Sequence, residues 1–377
     1  MASVSSVPAT VDLIVAFFEN DFADIRRQSK WDFSGKQIYL GDHRVSTICL
    51  ALDPTKHVMD QAIDRGCELI ITHHPLFFAP AKGLSVANLR DSLVIRAIKH
   101  NISVLSYHTN LDMAPDGINS YLLQLLSAQE TGMLEPEGEI PYMKVVVFTP
   151  LSHEKAVLDA IDRAGGGQIG NYRRCAFAVE GTGTYTPIDG ADPFIGSVGK
   201  EEYVKEVRQE ILVPADNIKK VTAALKEAHP YETPAFDIIP VKSPEPYGFG
   251  RIGITDKKYS LAEFVSLLKA KFATDCVHTN MKTFPEGIGK FAVSCGSGAS
   301  MWKECLKHGV KVFVTGDLKH HDALDAKEAG VCVIDIGHYH SERIYMPYLA
   351  GIIEKNFDVK TFVAEEEAPI VPWQAKP

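Results

Sequence analysis

The sequence predicts an α/β protein whose N- and C-terminal parts form a doubly wound, mostly parallel sheet, with a separate α+β domain inserted between them. Three observations carry this prediction. Short β-branched, apolar runs alternate with helical stretches near both ends of the chain, glycine ends most of those helices, and the pattern changes in the middle. A chain of 377 residues also exceeds what one hydrophobic core usually serves, so more than one domain is expected.

The N-terminal part, placed at 1–142, shows the alternation first. The segment 57–66 has helical periodicity and ends at Gly66, which suits a left-handed helix C-terminus. Helices that alternate with continuous apolar strands are typical of a parallel sheet covered on both faces. Buried strands are predicted at three apolar runs: 45–52, 67–72 and 101–106.

The middle of the chain, placed at 143–242, has a different order of strands and helices. A strand at 144–150 is followed by a helix and a glycine-rich stretch, and a further strand and helix precede a final strand at 235–241. This β-α-β, β-α-β order is the double split unit of ferredoxin-like folds, so an independent inserted domain is predicted.

The C-terminal part, placed at 243–377, returns to the first pattern. Strands are predicted at 310–315 and 331–336, and the helix before each one ends at a glycine. The glycine-rich stretch 244–253 is interpreted as a tight, close-packed turn, because no clear strand precedes it and no amphipathic helix follows it, as a nucleotide-binding fingerprint requires. The segment 260–263 reads Ser-Leu-Ala-Glu, a capping box for the next helix.

Composition narrows the classes of function. The formal net charge is -9, from 48 acidic and 39 basic residues without long runs of either sign, which argues against nucleic-acid binding as the main task. No apolar window has the length of a membrane helix and no secretory leader is recognisable, so no membrane association and a cytoplasmic location are expected. The 7 cysteines include no CxxC pair, which indicates neither a disulfide framework nor a thiolate zinc site.

Histidines and carboxylates gather just beyond the ends of four predicted strands. The carboxyl ends of parallel strands meet at one edge of an open sheet, and ligands bind at that edge. A single loop histidine is more often a hydrogen-bonded surface or core residue. Potential ligands that follow the same end of four strands favour a shared site instead. The residues are His73 and His74 after the second strand, His108 and Asp112 after the third, Asp317 after 310–315, and His338 and Glu342 after 331–336.

The spacing of these residues predicts a metal site. Neighbouring residues that leave a strand point in different directions, so His73 and His74 could each serve a separate ion. His338 and Glu342 share one face if a helix begins after Gly337. Nitrogen and oxygen ligands suit Zn, Mn, Fe(II), Co or Ni. Two such ions can clamp the reacting atoms of a hydrolytic step and attract an anionic substrate.

Four segments together resemble the NIF-three-like dinuclear-metal family, whose members are often called GTP cyclohydrolase I type 2 homologues. These segments are ITHHPLFF (71–78), SYHTNLD (106–112), VTGDLKHHDA (314–323) and DIGHYHSE (335–342). The resemblance covers nearly the whole chain. Within the insertion, 165–187 and 228–238 look like the middle domain of the long bacterial members, which is similar to PII and CutA proteins.

The resemblance implies two divalent metal ions per chain and a division of ligands between them. His73 would bind one ion, joined by His338, while His74 and Asp112 would bind the other, and Glu342 would bridge both. It also implies a homohexameric ring whose sites face an internal cavity, with the inserted domains near its openings.

Several nearby residues have more than one interpretation. His108 and His321 are the candidates for catalytic proton transfer; His108 could equally be an extra ligand or support one. Asp317 could cap a helix or touch the site, and Arg343 could meet an anionic substrate or form a structural salt bridge. His320 is expected only to share the neighbourhood, and His340 to face solvent.

Two main functions fit these features. The first is a metal-dependent hydrolase acting on a small anionic or nucleotide-like molecule. The second is a non-catalytic metal-handling or regulatory hexamer whose inserted domain senses a small molecule, which rests on fold analogy alone. A nucleic-acid partner, the third reading, is disfavoured by the acidic balance.

Overall fold

The protein is described from a computed structural model that covers residues 7–81, 83–170, 172–242 and 246–370. It divides into two compact units. The larger unit consists of the chain up to Gly138 and from Tyr247 onward, and the smaller unit is Glu139–Pro246. None of the helices in the described ranges is long and apolar enough to span a membrane.

The first segment of the larger unit alternates strands and helices, as its sequence predicts. Its strands are β1 (Val7–Pro8), β2 (Gly35–Ile38), β3 (Thr47–Ala51), β4 (Leu69–Thr72), β5 (Ser103–Ser106) and β6 (Gln129–Glu139). Its helices are α1 (Val11–Phe17), α2 (Lys56–Asp64), α3 (Leu89–Lys99), α4 (Thr109–Met113) and α5 (Ile118–Leu125).

The smaller unit has the predicted order of two β-α-β halves. Its elements are β7 (Tyr142–Pro150), α6 (Glu154–Arg163), β8 (Ala176–Tyr185), β9 (Glu202–Pro214), α7 (Ile218–Ala228) and β10 (Phe236–Val241). The strands form an antiparallel sheet in the order β10-β7-β9-β8. Val147, Ile211 and Val213 of the sheet share a buried cluster with Ile161 of α6 and Leu225 of α7.

The second segment of the larger unit begins with a long strand. Its strands are β11 (Pro246–Tyr259), β12 (His278–Thr279), β13 (Ile288–Val293), β14 (Val312–Thr315), β15 (Cys332–Asp335), β16 (Phe357–Asp358) and β17 (Lys360–Val363). Its helices are α8 (Leu261–Phe272), α9 (Trp302–Lys307), α10 (His320–Glu328), α11 (His338–Arg343) and α12 (Met346–Asn356).

The larger unit contains two principal sheets, where the sequence predicted one. The first has the order β17-β3-β4-β5-β2, with a parallel centre and β2 antiparallel at one edge. The second has the order β12-β15-β14-β13-β11-β6, in which β13, β14 and β15 run parallel. The mixed α/β character is confirmed, but the single doubly wound sheet is wrong, because β3, β4 and β5 form the centre of one sheet and β13, β14 and β15 that of another.

The two sheets share one hydrophobic core, and their other faces pack against separate apolar clusters, so their strands are apolar on both faces. Ile48 and Leu50 of β3 belong to the same buried cluster as Val312 and Val314 of β14, together with residues of α1, α5, α8 and α12. The intervening Cys49 and Ala51 face a second cluster, which includes residues of α2 and α3. Burying such side chains stabilises the fold by about 1.5–3 kcal/mol each.

The glycine-rich segment predicted as a turn is instead part of β11. Gly250 has a φ of +63°, and a Cβ on Gly248 would lie 2.0 Å from the Glu135 carbonyl oxygen. The predicted close packing is therefore confirmed, whereas the turn is wrong for residues 246–253. The glycines permit tight approach within a sheet, and residues 244 and 245 lie outside the described ranges.

Two predicted helix-end features, the capping box of α8 and the glycine after α2, are confirmed. Ser260 and Glu263 form both hydrogen bonds of a capping box at the start of α8. Gly66 has a φ of +65° and follows α2, as its left-handed position requires.

Candidate metal centre

The site lies where strands of the two sheets end within the larger unit. His73 and His74 follow β4 directly, and their backbone N–H groups continue the hydrogen bonding to Ala51 and Leu52 of the neighbouring strand. Because neighbouring residues of an extended chain point in different directions, the two rings diverge, and their centroids lie 5.0 Å apart. The second sheet delivers its ligands through α11, which begins at His338 as predicted.

Three ligand atoms form what we call the compact group: Nε2 of His74, Nε2 of His338 and Oε2 of Glu342. The two nitrogens are 3.4 Å apart. Glu342 Oε2 lies 3.2 Å from His74 Nε2 and 3.1 Å from His338 Nε2. Ligand atoms about 2.0–2.1 Å from a tetrahedral metal ion are separated by about 3.3 Å, so the compact group has the spacing of a mononuclear ligand set.

Three further atoms form the wider group: Nε2 of His73, Oδ1 of Asp112 and Oε1 of Glu342. His73 Nε2 lies 3.7 Å from the Asp112 oxygen and 3.7 Å from the Glu342 oxygen. Because the two oxygens of Glu342 face different groups, this carboxylate has the geometry of a bridge. The pairing differs from the one that the resemblance implies: His338 approaches His74, and Asp112 approaches His73.

Every histidine of the cluster is anchored through Nδ1. A proton held at Nδ1 by an acceptor leaves the Nε2 lone pair free, the usual arrangement of metal-binding histidines. The anchors pair His74 with Asp53 at 2.8 Å, His338 with Asp317 at 2.8 Å, His108 with Asp32 at 2.9 Å, and His73 with the Tyr107 carbonyl oxygen at 3.0 Å.

His108 belongs to the cluster as a neighbour of the two histidines that follow β4. It can join His73 and His74 around a single ion. Asp32 fixes this loop by accepting from the His108 ring and from the backbone and hydroxyl of Thr109. These bonds outweigh the effect of burial and lower the pKa of Asp32, so it stays ionised.

The electrostatics of the compact group favour either protons or a cation. Burial lowers the pKa of His74, but Asp53 and Glu342 outweigh burial and raise it to about 10. Burial likewise opposes protonation of His338, and Glu342 and Asp317 raise its pKa to about 9. Burial raises the pKa of Glu342, yet the surrounding histidines hold it well below its usual range. A divalent ion would replace the protons and keep Glu342 charged.

The loop after β13 also enters the site, and sequence reasoning missed it. The buried Cys295 thiol donates to Asp112 Oδ1 at 3.1 Å. Asn119 accepts from the Cys295 backbone and donates to the Asp112 carbonyl oxygen, which ties the two segments together. A Cβ on Gly296 would lie 2.2 Å from Glu342 Oε1, so only glycine leaves room for the bridge. The strand-end position of the segment SCGSG was the available signal.

Other predicted residues fall outside the cluster. Asp317 touches the site through His338, and the N-cap residue of α10 is Lys319, whose side chain makes no capping hydrogen bond. Arg343 pairs with Glu366 at 3.2 Å, which favours its structural interpretation. His320 and His321 are exposed on α10, and His340 is half-buried rather than fully facing solvent.

The residues present fit a metal. In the described part of the chain, the buried His73 Nε2 has no hydrogen-bond partner, a costly arrangement that an ion would satisfy. The fold and site therefore define a mixed α/β protein with a histidine–carboxylate cluster that could hold a metal ion.

Comparisons with known proteins give the family. The sequence model of the family described as Duf34/NIF3 (NGG1p interacting factor 3) matches residues 9–369. A Bacillus subtilis relative named "GTP cyclohydrolase 1 type 2 homolog" is 36% identical over 360 residues, covering 94% of this chain and 96% of its own. A Staphylococcus aureus relative of the same name is 35% identical over 345 residues, covering 90% and 92%. The chain belongs to the Duf34/NIF3 family.

Solved structures agree with this placement. A Bacillus cereus protein related to NIF3 superposes with a TM-score of 0.82 at 32% identity, covering 98% of this chain and 100% of its own. A Staphylococcus aureus protein superposes with a TM-score of 0.76 at 28% identity, covering 97% and 99%.

Proposed function

We propose that this chain binds two divalent metal ions and is a metal-dependent hydrolase of a small anionic or nucleotide-like substrate. The observation that carries the proposal is the convergence of Nδ1-anchored histidines on Glu342, whose two oxygens face two ligand groups. One ion would lie in the compact group and the other in the wider group. Such ions supply Lewis acidity and lower the pKa of bound water.

The chain's own residues would position both ions and exclude competing contacts. Glu342 and Asp112 are buried, so their oxygens are available to cations rather than to bulk water. Asp53 and Asp317 orient the compact-group rings, and Cys295 orients Asp112. Hydrogen bonds that hold metal ligands in their orientation commonly raise metal affinity.

The charge balance refines the proposed substrate class. Two divalent ions bring four positive charges, and Asp112 with Glu342 neutralise two of them. Asp32, Asp53 and Asp317 also contact histidines of the cluster, and their three negative charges leave no positive excess. An anionic group would therefore be selected by direct contact with an open ligand position rather than by a long-range field.

The relatives' name supports a nucleotide-like substrate without defining the reaction. Those proteins are called homologues of GTP cyclohydrolase 1 type 2. This sequence contains no P-loop and no NKxD-type guanine motif. Of the two candidates for proton transfer, His108 is better supported, because it lies in the cluster, whereas His321 is exposed on α10.

The proposed assembly is a homohexamer, and the proposed inserted domain is PII/CutA-like. The support for assembly is β8, an edge strand whose apolar Phe177 and Val179 are exposed. Exposed apolar edges are aggregation sites unless another chain covers them. Light scattering on the purified protein tests this directly: a monomer at micromolar concentration would contradict it.

The test of the hydrolase proposal joins metal analysis to an unbiased metabolite screen. Protein reconstituted with zinc, manganese or iron is expected to consume a metabolite, and Glu342→Gln is expected to abolish that turnover with the fold and oligomer intact. The matched control is Glu328→Gln, an exposed carboxylate on α10. Turnover unchanged in Glu342→Gln would contradict the proposal. Bound metal without turnover of any metabolite would favour a metal-handling or regulatory protein instead.

A further inference from the structure

Two large aromatic side chains are exposed beside the metal centre. Trp31 is 58% exposed and Phe78 is 57% exposed. Both approach the same residue of the cluster: the Trp31 ring lies 5.7 Å from the His108 ring and the Phe78 ring lies 6.2 Å from it, each nearly perpendicular to it. Among the described residues no ring contact joins Trp31 to Phe78, so each of these exposed rings contacts His108 separately.

The backbone around each ring is fixed by the site itself. Trp31 immediately precedes Asp32, the buried carboxylate that anchors His108. Phe78 follows His74 by four residues, and the intervening Leu76 is buried while the Phe77 backbone N–H donates to Gln37. Packing and hydrogen bonds of neighbouring residues therefore hold both rings close to the cluster.

Exposed aromatic rings at the mouth of a polar site have a specific use. Aromatic faces stack on planar heteroaromatic rings, and they do so with little dependence on which ring is bound. An aliphatic or purely polar ligand would gain little from two such rings. The structure thus combines exposed aromatic rings suited to a planar ligand with a neighbouring group of candidate cation ligands.

We propose that Trp31 and Phe78 bind the planar heteroaromatic ring of the ligand, while its oxygen-bearing end reaches the metal-ligating cluster. This inference rests on the proposed function and narrows it to ligands that carry both a heteroaromatic ring and a phosphate-type donor. The rings act in binding and positioning.

The experiment measures binding of defined probes to zinc-loaded full-length protein by titration calorimetry. The ring-bearing probes are GMP, AMP, CMP and nicotinamide mononucleotide, and ribose 5-phosphate is the probe that lacks a ring. At least one ring-bearing probe is expected to bind about 10-fold or more tightly than ribose 5-phosphate. In Trp31→Ala and in Phe78→Ala that preference is expected to fall to about threefold or less, with the zinc content unchanged. Tyr172→Ala, a change at an exposed aromatic of the smaller unit, is expected to keep the preference.

The outcomes separate this inference from the proposed function. Equal binding of ring-bearing and ringless probes, absence of binding by all ring-bearing probes, or an unchanged preference in both variants overturns the inference. A change in oligomer size of Trp31→Ala or Phe78→Ala by light scattering also overturns it, because the rings would then be an assembly contact. Failure of the protein to bind zinc at all contradicts the proposed function. A preference for ring-bearing probes that metal-free protein retains supports only the inference about Trp31 and Phe78.

Discussion

The compact and wider groups share Glu342 but differ in how their other ligands are held. In the compact group, His74 and His338 are anchored by carboxylates, and their side chains are 17% and 34% exposed. In the wider group, the His73 side chain is fully buried and is anchored by a backbone carbonyl, and Asp112 is supported by a thiol. The two ions that we propose would therefore differ in affinity and in access.

This difference suggests distinct tasks for the two groups. Carboxylate anchors raise the basicity of a histidine ligand, and partial exposure allows exchange with solvent. The buried wider group lacks a charged anchor on its histidine, and burial raises the pKa of Asp112. We expect the compact group to fill first and to bind more tightly.

Glu342→Gln is expected to have the largest effect, because it removes the charged atom from both groups at once. The metal content of the purified protein should fall from two ions per chain to well below one, and affinity for zinc should drop by more than about 100-fold, beyond what loss of a supporting contact costs. Equilibrium dialysis with metal analysis measures both. Retention of both ions would show that Glu342 is not the bridge.

Single-group variants should each remove one ion. His74→Ala is expected to empty the compact group and leave weaker binding, whereas Asp112→Asn should empty the wider group and leave the tighter ion. Competition with a chromophoric chelator resolves the two affinities. His57→Ala, at an exposed histidine of α2, serves as the control. If His74→Ala and Asp112→Asn removed the same ion, the two-group description would be wrong.

Metal binding is expected to release protons from the compact group. The pKa of His74 is raised to about 10 and that of His338 to about 9, so both rings hold protons at neutral pH in the metal-free protein. An ion must displace them, and the apparent affinity should rise with pH until these groups are deprotonated. Calorimetry in buffers of different ionisation enthalpy counts the protons.

The same raised pKa values predict a stability difference. In metal-free protein, the stabilisation from protonated His74 and His338 is fully present below the ordinary histidine pKa. It is lost as the pH rises through about 9 to 10. Thermal unfolding of the metal-free form should therefore occur at lower temperature at alkaline pH, while the metal-loaded form should change less. Release of no protons on zinc binding would contradict both expectations.

Supporting residues should give the smallest effects. Asp53→Asn is expected to weaken the compact-group ion by about 10–100-fold. Cys295→Ala should weaken only the wider-group ion, and Cys295→Ser, which keeps a donor, should recover part of the loss. When cobalt replaces zinc, Cys295→Ala should not remove a thiolate charge-transfer band from the visible spectrum. Cys295 supports Asp112 and does not bind the ion. Such a band, lost in the variant, would make Cys295 a ligand.

The sequence predicted the strands that carry the ligands because those strands are apolar on both faces. The positions of His73, His338 and Glu342 at strand ends followed from that pattern. One sheet was predicted instead of two, since apolar runs do not reveal which helices cover which face. The pairing of His338 with His74 depends on how the two sheets meet in the shared core, which spacing along the chain does not encode.

Residues that support the ligands were the least predictable. Asp32 and Asp53 lie far along the chain from the histidines they anchor, and each is an ordinary loop carboxylate in sequence. Cys295 resembled a small core residue because its neighbours are apolar and it has no cysteine partner. Its role depends on a contact with Asp112, 183 positions away.

Anomalous diffraction from crystals grown with zinc tests the central claim most directly. We predict two anomalous peaks per chain, one among His74, His338 and Glu342 and the other among His73, Asp112 and Glu342. A single peak, or peaks that do not contact Glu342, would contradict the account.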